Sequence, residues 1–379
     1  GHGVVDSGTD HRRNRMGAGL SPARTVTLRD VLIRRIRRDG ALTIADFMAT
    51  VLLHPEQGYY ARRIPIGEAG DYTTAPEIHQ IFGEMIAGWL IDYWHRSGSP
   101  EPLLLVELGP GRGTLVQDIL RAADTVAPSF ARAASIWFVE TSPKLRGEQA
   151  AAVPDARFAG ELASVPQAFS LFVANEFFDA LPIHQYVKTG THWRERTVTW
   201  DEASARFVFA LAPRPSPITC QLPISACEGE VVEISPVAQA VVADLAARAV
   251  SDGGASLIVD YARDREEPFG TLQAVRSHRR VDPLDEPGSA DLSSRVDFQQ
   301  LAATARTGGA CVHGPRKQGE FLETIGIRQR ARRLAAMQPA ASAGIETALH
   351  RLVHPEGMGS RFHAMSVASP NGPDPAGFA

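Results

Sequence analysis

The chain has 379 residues, 44% of them hydrophobic and 22% charged, with a formal net charge of -4. That balance suits a globular enzyme with a full core and excludes broad electrostatic coating of nucleic acid. No apolar run approaches the roughly 18 residues of a membrane-spanning helix, and Cys220, Cys227 and Cys311 form no C-x-x-C pair, which points to a reducing compartment and to no bound metal.

Residues 1–24, rich in Gly, Ser and Arg, read as a flexible leader or tag outside the fold. An N-terminal helical segment with a loop spans 25–100. Its first helix starts at Thr27 and stops at Gly40, with Leu28, Val31, Leu32 and Ile36 on one face and Arg34, Arg35, Arg37 and Arg38 on a solvated one. The second helix covers 43–53, with Thr43 as N-cap. The stretch 67–84 is rich in Gly and Thr and carries Asp71, Tyr72, Thr73, Thr74 and Glu77 ahead of an apolar helix over 78–94. Such a polar loop reads as a lid, and Thr74 can also cap a first turn holding Pro76.

The chain is organised around Leu103 to Thr114, L-L-L-V-E-L-G-P-G-R-G-T. A buried strand, a Gly-rich turn and a helix open a Rossmann-like core expected over 101–184. Gly109, Gly111 and Gly113 let a ligand lie against the backbone, and the N–H groups that open the next helix at Thr114 face it. The spacing G-x-G-x-G departs from the dinucleotide pattern G-x-G-x-x-G. Glu107 at the mouth suits a cationic ligand better than a pyrophosphate, which favours S-adenosylmethionine over NAD. Strand 135–139 ends in Glu140, placed to take two ribose hydroxyls.

Strand 171–174 ends in N-E-F-F-D, so Asn175, Glu176 and Asp179 point toward the same mouth, with Phe177 and Phe178 as pocket wall. An antiparallel insert follows over 185–229, and the rest of the core with a substrate lobe over 230–368. There the pattern predicts helices over 237–250, 297–305, 318–327 and 329–350, and strands over 256–259, 271–276, 310–314 and 360–368. The tail 369–379 reads as mobile. The fold class is α/β, with helices on both faces of the sheet.

A sulfonium already carries a good leaving group, so methyl transfer needs an aligned nucleophile and a proton acceptor. If the nucleophile is a guanidinium, carboxylates must orient it and take its proton. Glu176 and Asp179 suit that task, with Asn175 as a bonding partner. His54, His79, His184, His278 and His313 read as satisfied histidines.

E-L-G-P-G-R-G-T, G-D-Y-T-T-A-P-E-I-H-Q-I-F-G-E, V-E-T-S-P-K-L-R, A-N-E-F-F-D-A-L-P-I-H-Q and R-L-V-H-P-E-G-M-G together resemble the MidA-like methyltransferases, over roughly 40–368. The resemblance implies a class I methyltransferase fold, S-adenosylmethionine as donor and a protein arginine as acceptor, on the 49-kDa-type subunit of complex I, in aid of complex I assembly. It implies that Gly109, Gly111, Gly113 and Glu140 bind cofactor, that Asn175 and Glu176 border the acceptor, and that 71–74 covers the cofactor. It allows a homodimer, in the cytoplasm for a bacterial chain and the mitochondrial matrix for a eukaryotic one. One departure is D-Y-A at 260–262 where the family usually has D-Y-G, so Ala262 is expected to restrict that turn. The other readings left open are an assembly chaperone with little catalysis and a small-molecule O- or N-methyltransferase.

Overall fold

A computed structural model describes residues 1–3, 26–62, 71, 73–217, 222, 226–263 and 268–378. Most of the expected leader, lid residues 67–70 and 72, and Cys220 lie outside the described residues. Helix α1 (Leu28–Asp39) begins at a capping box: Thr27 Oγ1 accepts from the Asp30 N–H, and the Thr27 N–H donates to the Asp30 carboxylate. Strand β1 (Leu42–Thr43) leads into α2 (Ile44–Leu53), capped by Thr43 as its sequence position predicts. Short α3 (Tyr59–Arg62) and α4 (Ala75–Ile78) then flank the lid region, and α5 (Ile81–Arg96) follows.

The core runs β2 (Leu103–Leu108), α6 (Thr114–Val126), α7 (Pro128–Ala133), β3 (Ala134–Val139), α8 (Pro143–Ala152), β4 (Arg157–Ala159) and β5 (Ser170–Asn175). The insert supplies β6 (His184–Thr189), β7 (His192–Asp201), β8 (Arg206–Leu211) and β9 (Val231–Ile234). After it come α9 (Pro236–Ser251), β10 (Gly254–Tyr261), β11 (Gln273–Arg276), β12 (Arg279–Val281), β13 (Asp291–Ser293) and α10 (Phe298–Thr307). The chain finishes with β14 (Cys311–Lys317), α11 (Gln318–Thr324), α12 (Ile327–Met337), α13 (Ser342–Val353) and β15 (Phe362–Ala368).

The central sheet has seven strands in the order β14-β15-β10-β5-β2-β3-β4. Strands β4, β3, β2, β5 and β10 are parallel, and β15 enters antiparallel. Side chains of successive strand residues face opposite sides. Leu103, Leu105, Leu171, Val173, Leu257 and Val259 pack with α5, α6 and the C-terminal helices, while Leu104, Val106, Phe172, Ala174 and Ile258 pack with α9 and α10. Burial on both faces is why these strands read as unbroken apolar runs. Chain order reverses between β2 and β5, and a sheet of this kind opens its ligand crevice there, at the carboxyl ends.

A second body packs on that edge. In the antiparallel sheet, β7 pairs with β1 at Thr197 and Val198 on one side and with β8 on the other. Leu32, Phe47 and Met48 from the N-terminal helices share an apolar core with Ile183, Val198, Phe207 and Leu292. A three-stranded sheet, β12-β11-β13, joins it.

Three expectations change. The helix read over 329–350 is two helices, α12 and α13, because Pro339 lacks the N–H that would continue the ladder. The tail is held rather than mobile: Phe378 packs on Phe321 with ring centroids 5.1 Å apart, and the Trp89 indole N–H donates to the Ala376 carbonyl. Ala262 does not strain its turn. Its backbone is not among the left-handed positions, it is buried, and its N–H donates to the Arg361 carbonyl.

Candidate active site

The site grows from the end of β2. Gly109 adopts φ 62°, and a Cβ added there would meet Phe177 Cδ2 at 2.7 Å, so the turn and the β5 tip can pack this closely only without a side chain. The Gly111 carbonyl accepts from Gln149 Nε2 at 2.8 Å. These residues border a cavity of about 360 Å³, lined also by Glu107, Thr114, Glu140, Asn175, Glu176, Thr74 and Glu77.

Two of its carboxyl groups, on Glu107 and Glu140, are buried. Glu107 is 3% exposed, its Oε2 has no bonding partner, and burial pushes its carboxyl up to about 8. Glu140 accepts from the Ser142 N–H at 2.7 Å and from Gln149 Nε2 at 3.1 Å, and burial raises it as well. At the β5 tip, Asn175 is buried with Oδ1 unpartnered. Glu176 sits in the left-handed region at φ 52°, an uncommon place for a non-glycine residue. Three contacts hold it there: its N–H donates to the Val259 carbonyl, and its Oε1 accepts from the Ala75 N–H at 2.9 Å and from Asn175 Nδ2 at 3.3 Å. Burial lifts Glu176 to about 7, with the nearby Asp260 adding to the rise.

Asp260, which the sequence reading did not assign to the site, and Glu77, read there only as part of the lid loop, complete the frame. Asp260, at the end of β10 and fully buried, accepts from the Phe177 and Phe178 N–H groups at 3.0 and 2.8 Å and so fixes the loop after Glu176. Burial still leaves Asp260 raised to about 6. Glu77 on α4 accepts from Thr114 Oγ1 at 2.5 Å and faces Arg112 at 3.7 Å, which closes α4 against the Gly-rich turn.

Not every predicted residue reaches this cavity. Gly113 caps α6 at φ 81° and lies against Gln149 and Ala152, so it serves helix packing. Asp71 is 3% exposed and turned away from the cavity: its carboxylate accepts from Tyr59 Oη and from the Ser277 N–H, each at 2.7 Å, and ties the lid region to the β11–β12 turn. Asp179 lines a second cavity of about 460 Å³, which it shares with Tyr60, Asp291 and Glu176. Burial raises Asp179 well above the ordinary carboxylate range, with Asp260, Asp291 and Glu176 adding to the rise. Glu176 and Tyr60 are thus walls of both cavities.

The first cavity fits S-adenosyl-L-methionine on the features of this chain: a Gly-rich turn without side chains, two buried carboxyls, and acceptor oxygens on Glu107 and Asn175 that lack donors. The family model described as "Putative S-adenosyl-L-methionine-dependent methyltransferase" matches residues 85–316. The mouse protein named protein arginine methyltransferase NDUFAF7, mitochondrial, is 37% identical over 89% of this chain and 83% of its own length. The human protein of the same name is 36% identical, over 89% and 82%. A Burkholderia thailandensis crystal structure with bound S-adenosyl-homocysteine superposes with a TM-score of 0.79 at 27% identity, covering 90% of this chain and 91% of that one.

Proposed function

Because the chain belongs to this family and is an S-adenosyl-L-methionine-dependent methyltransferase, we propose that it transfers the methyl group to a guanidinium nitrogen of a protein arginine. When bound, S-adenosyl-L-methionine supplies an electrophilic methyl on a sulfonium. Glu107, Glu140, Gly109, Gly111 and Thr114 hold the donor side, and Glu77 and Thr74 cover it. Glu176 and Asn175 orient the acceptor across their shared wall, and the acceptor nitrogen gives up one proton as its bond to carbon forms. Glu176 is the group placed to receive that proton. With its carboxyl near 7, an entering guanidinium holds it in the charged, proton-accepting form. Asp179 and Asp291 line the second cavity with it, their carboxyls raised toward the neutral form by burial.

The observation that carries this reading is the position of Glu176 as wall to both cavities. Relatives named protein arginine methyltransferase support the acceptor class, and those names place the relatives in mitochondria. The acceptor protein in this reading is the 49-kDa-type subunit of respiratory complex I, reached in the mitochondrial matrix by a eukaryotic chain and in the cytoplasm by a bacterial one. A homodimer belongs to the same reading and is checked by sedimentation. Isotope-labelled donor incubated with the protein and cell extract should place label on arginine; label confined to a small metabolite or to nucleic acid rejects the proposal. A second reading, an assembly chaperone with little catalysis, draws on Phe209 and Leu211, 42% and 38% exposed on β8. Rescue of complex I assembly by Gly111→Val, which fills the donor turn, would favour it.

A further inference from the structure

The second cavity has a floor of carboxyl groups and a rim of arginines. Its floor is acidic: Glu176, Asp179 and Asp291, where Asp291 Oδ1 accepts from Tyr60 Oη at 3.1 Å. Its rim carries Arg280 from β12, Arg351 from α13 and Arg361 just before β15. All three are exposed and, among the described residues, none is seen in an ion pair or hydrogen bond, although Arg351 is near enough to the floor for its charge to lower Glu176 against the burial that raises it. Neighbouring arginines do find partners, Arg276 with Glu286 and Arg316 with Glu320. The rim includes one acid, Glu356, so cations prevail there.

An acidic floor takes one guanidinium. The three guanidiniums above it, of which Arg351 also acts on Glu176, repel further cations and offer forked donors to carboxylates. Taken as a cube, 460 Å³ is roughly 8 Å across, the reach of two to three residues of extended chain. We propose that the acceptor is an arginine within an acidic segment, with Asp or Glu two to three residues from the methylated position, and that Arg280, Arg351 and Arg361 select it. This deepens the arginine-acceptor reading and rests on it.

The test uses fluorescence anisotropy with short labelled peptides bearing one central arginine flanked at those positions by Glu, by Gln or by Lys, on the whole protein with S-adenosyl-homocysteine present. Two or three exposed charge pairs should make the Glu peptide bind about tenfold tighter than the Gln peptide, and raised salt should weaken that preference. The double variant Arg280→Glu with Arg361→Glu should lose the preference and gain affinity for the Lys peptide. Calorimetric donor affinity, unchanged, shows that the fold persists. Equal binding of Glu and Gln peptides, or tighter binding of the Lys peptide by the unaltered protein, overturns the inference. In a parallel assay with isotope-labelled S-adenosyl-L-methionine in place of S-adenosyl-homocysteine, preference for the Glu peptide without methyl incorporation upholds the rim and sinks arginine transfer instead. Equal binding with equal incorporation does the reverse.

Discussion

The two cavities that meet at Glu176 are built differently. The donor cavity sits at the carboxyl edge of the parallel sheet, where the Gly-rich turn after β2 and the tips of β3 and β5 supply most of its polar wall. Two of its acids, Glu107 and Glu140, are buried. The second cavity, proposed above to take the acceptor, is assembled from β11–β13, α13, the approach to β15 and the region around Tyr60, and it carries both signs of charge at its surface. A tight cradle of buried acids suits one fixed ligand, while a charged, composite rim suits a polymer that varies.

The sharpest way to break that division is Glu176→Gln. The amide keeps an oxygen for the Ala75 N–H but cannot take the proton, so transfer should fall by about 10²–10⁴-fold while S-adenosyl-homocysteine affinity changes little. An equal loss in both quantities would erase the distinction between the two sides. Gly109→Ala comes next. Backbone strain together with the 2.7 Å approach to Phe177 should weaken donor binding by about 10–100-fold in calorimetry. Glu140→Ala removes a carboxyl placed for hydroxyl groups and should cost about tenfold in donor affinity with a smaller change in turnover. Turnover lost with affinity intact would move Glu140 to the other side of the comparison.

A smaller effect is thermal. Glu107, Glu176, Asp291 and Asp260 hold protons up to about 8, 7, 7 and 6 in the fold, against values near 4 in the unfolded chain. Between those limits the unfolded chain binds fewer protons than the folded one. Their stabilising contribution is therefore complete below about pH 4 and is lost as pH rises toward 8. The ligand-free protein should melt at a lower temperature at pH 8 than at pH 5, and Glu107→Gln should flatten that slope. A melting temperature that climbs over this window contradicts the burial of these acids.

The same contrast explains what could be read from residues alone. The donor turn is contiguous, so E-L-G-P-G-R-G-T announced strand, bend and helix, and Glu140 followed at the next strand tip. Spacing does not say which way a side chain faces: Gly113 turned out to serve packing, and Asp71 to bind Tyr59 and Ser277. Asp260 was visible only as a strand end, since its two amide partners lie 83 and 82 residues away. The rim arginines could not be grouped at all, because only the tertiary fold brings positions 280, 351 and 361 together. Pro339 was a legible break hidden by continuing apolar periodicity, and the Pro- and Gly-rich tail hid Phe378, whose ring packs on Phe321.

Single-turnover transfer at sub-saturating arginine peptide, which reports the groups of the free enzyme, followed from pH 6 to pH 9 for the unaltered protein and Glu176→Gln, tests the shared wall most directly. The unaltered protein should show a rate that rises with pH and levels off above about 7, and the variant a slow rate without that rise. The same rise at full speed in Glu176→Gln would contradict it.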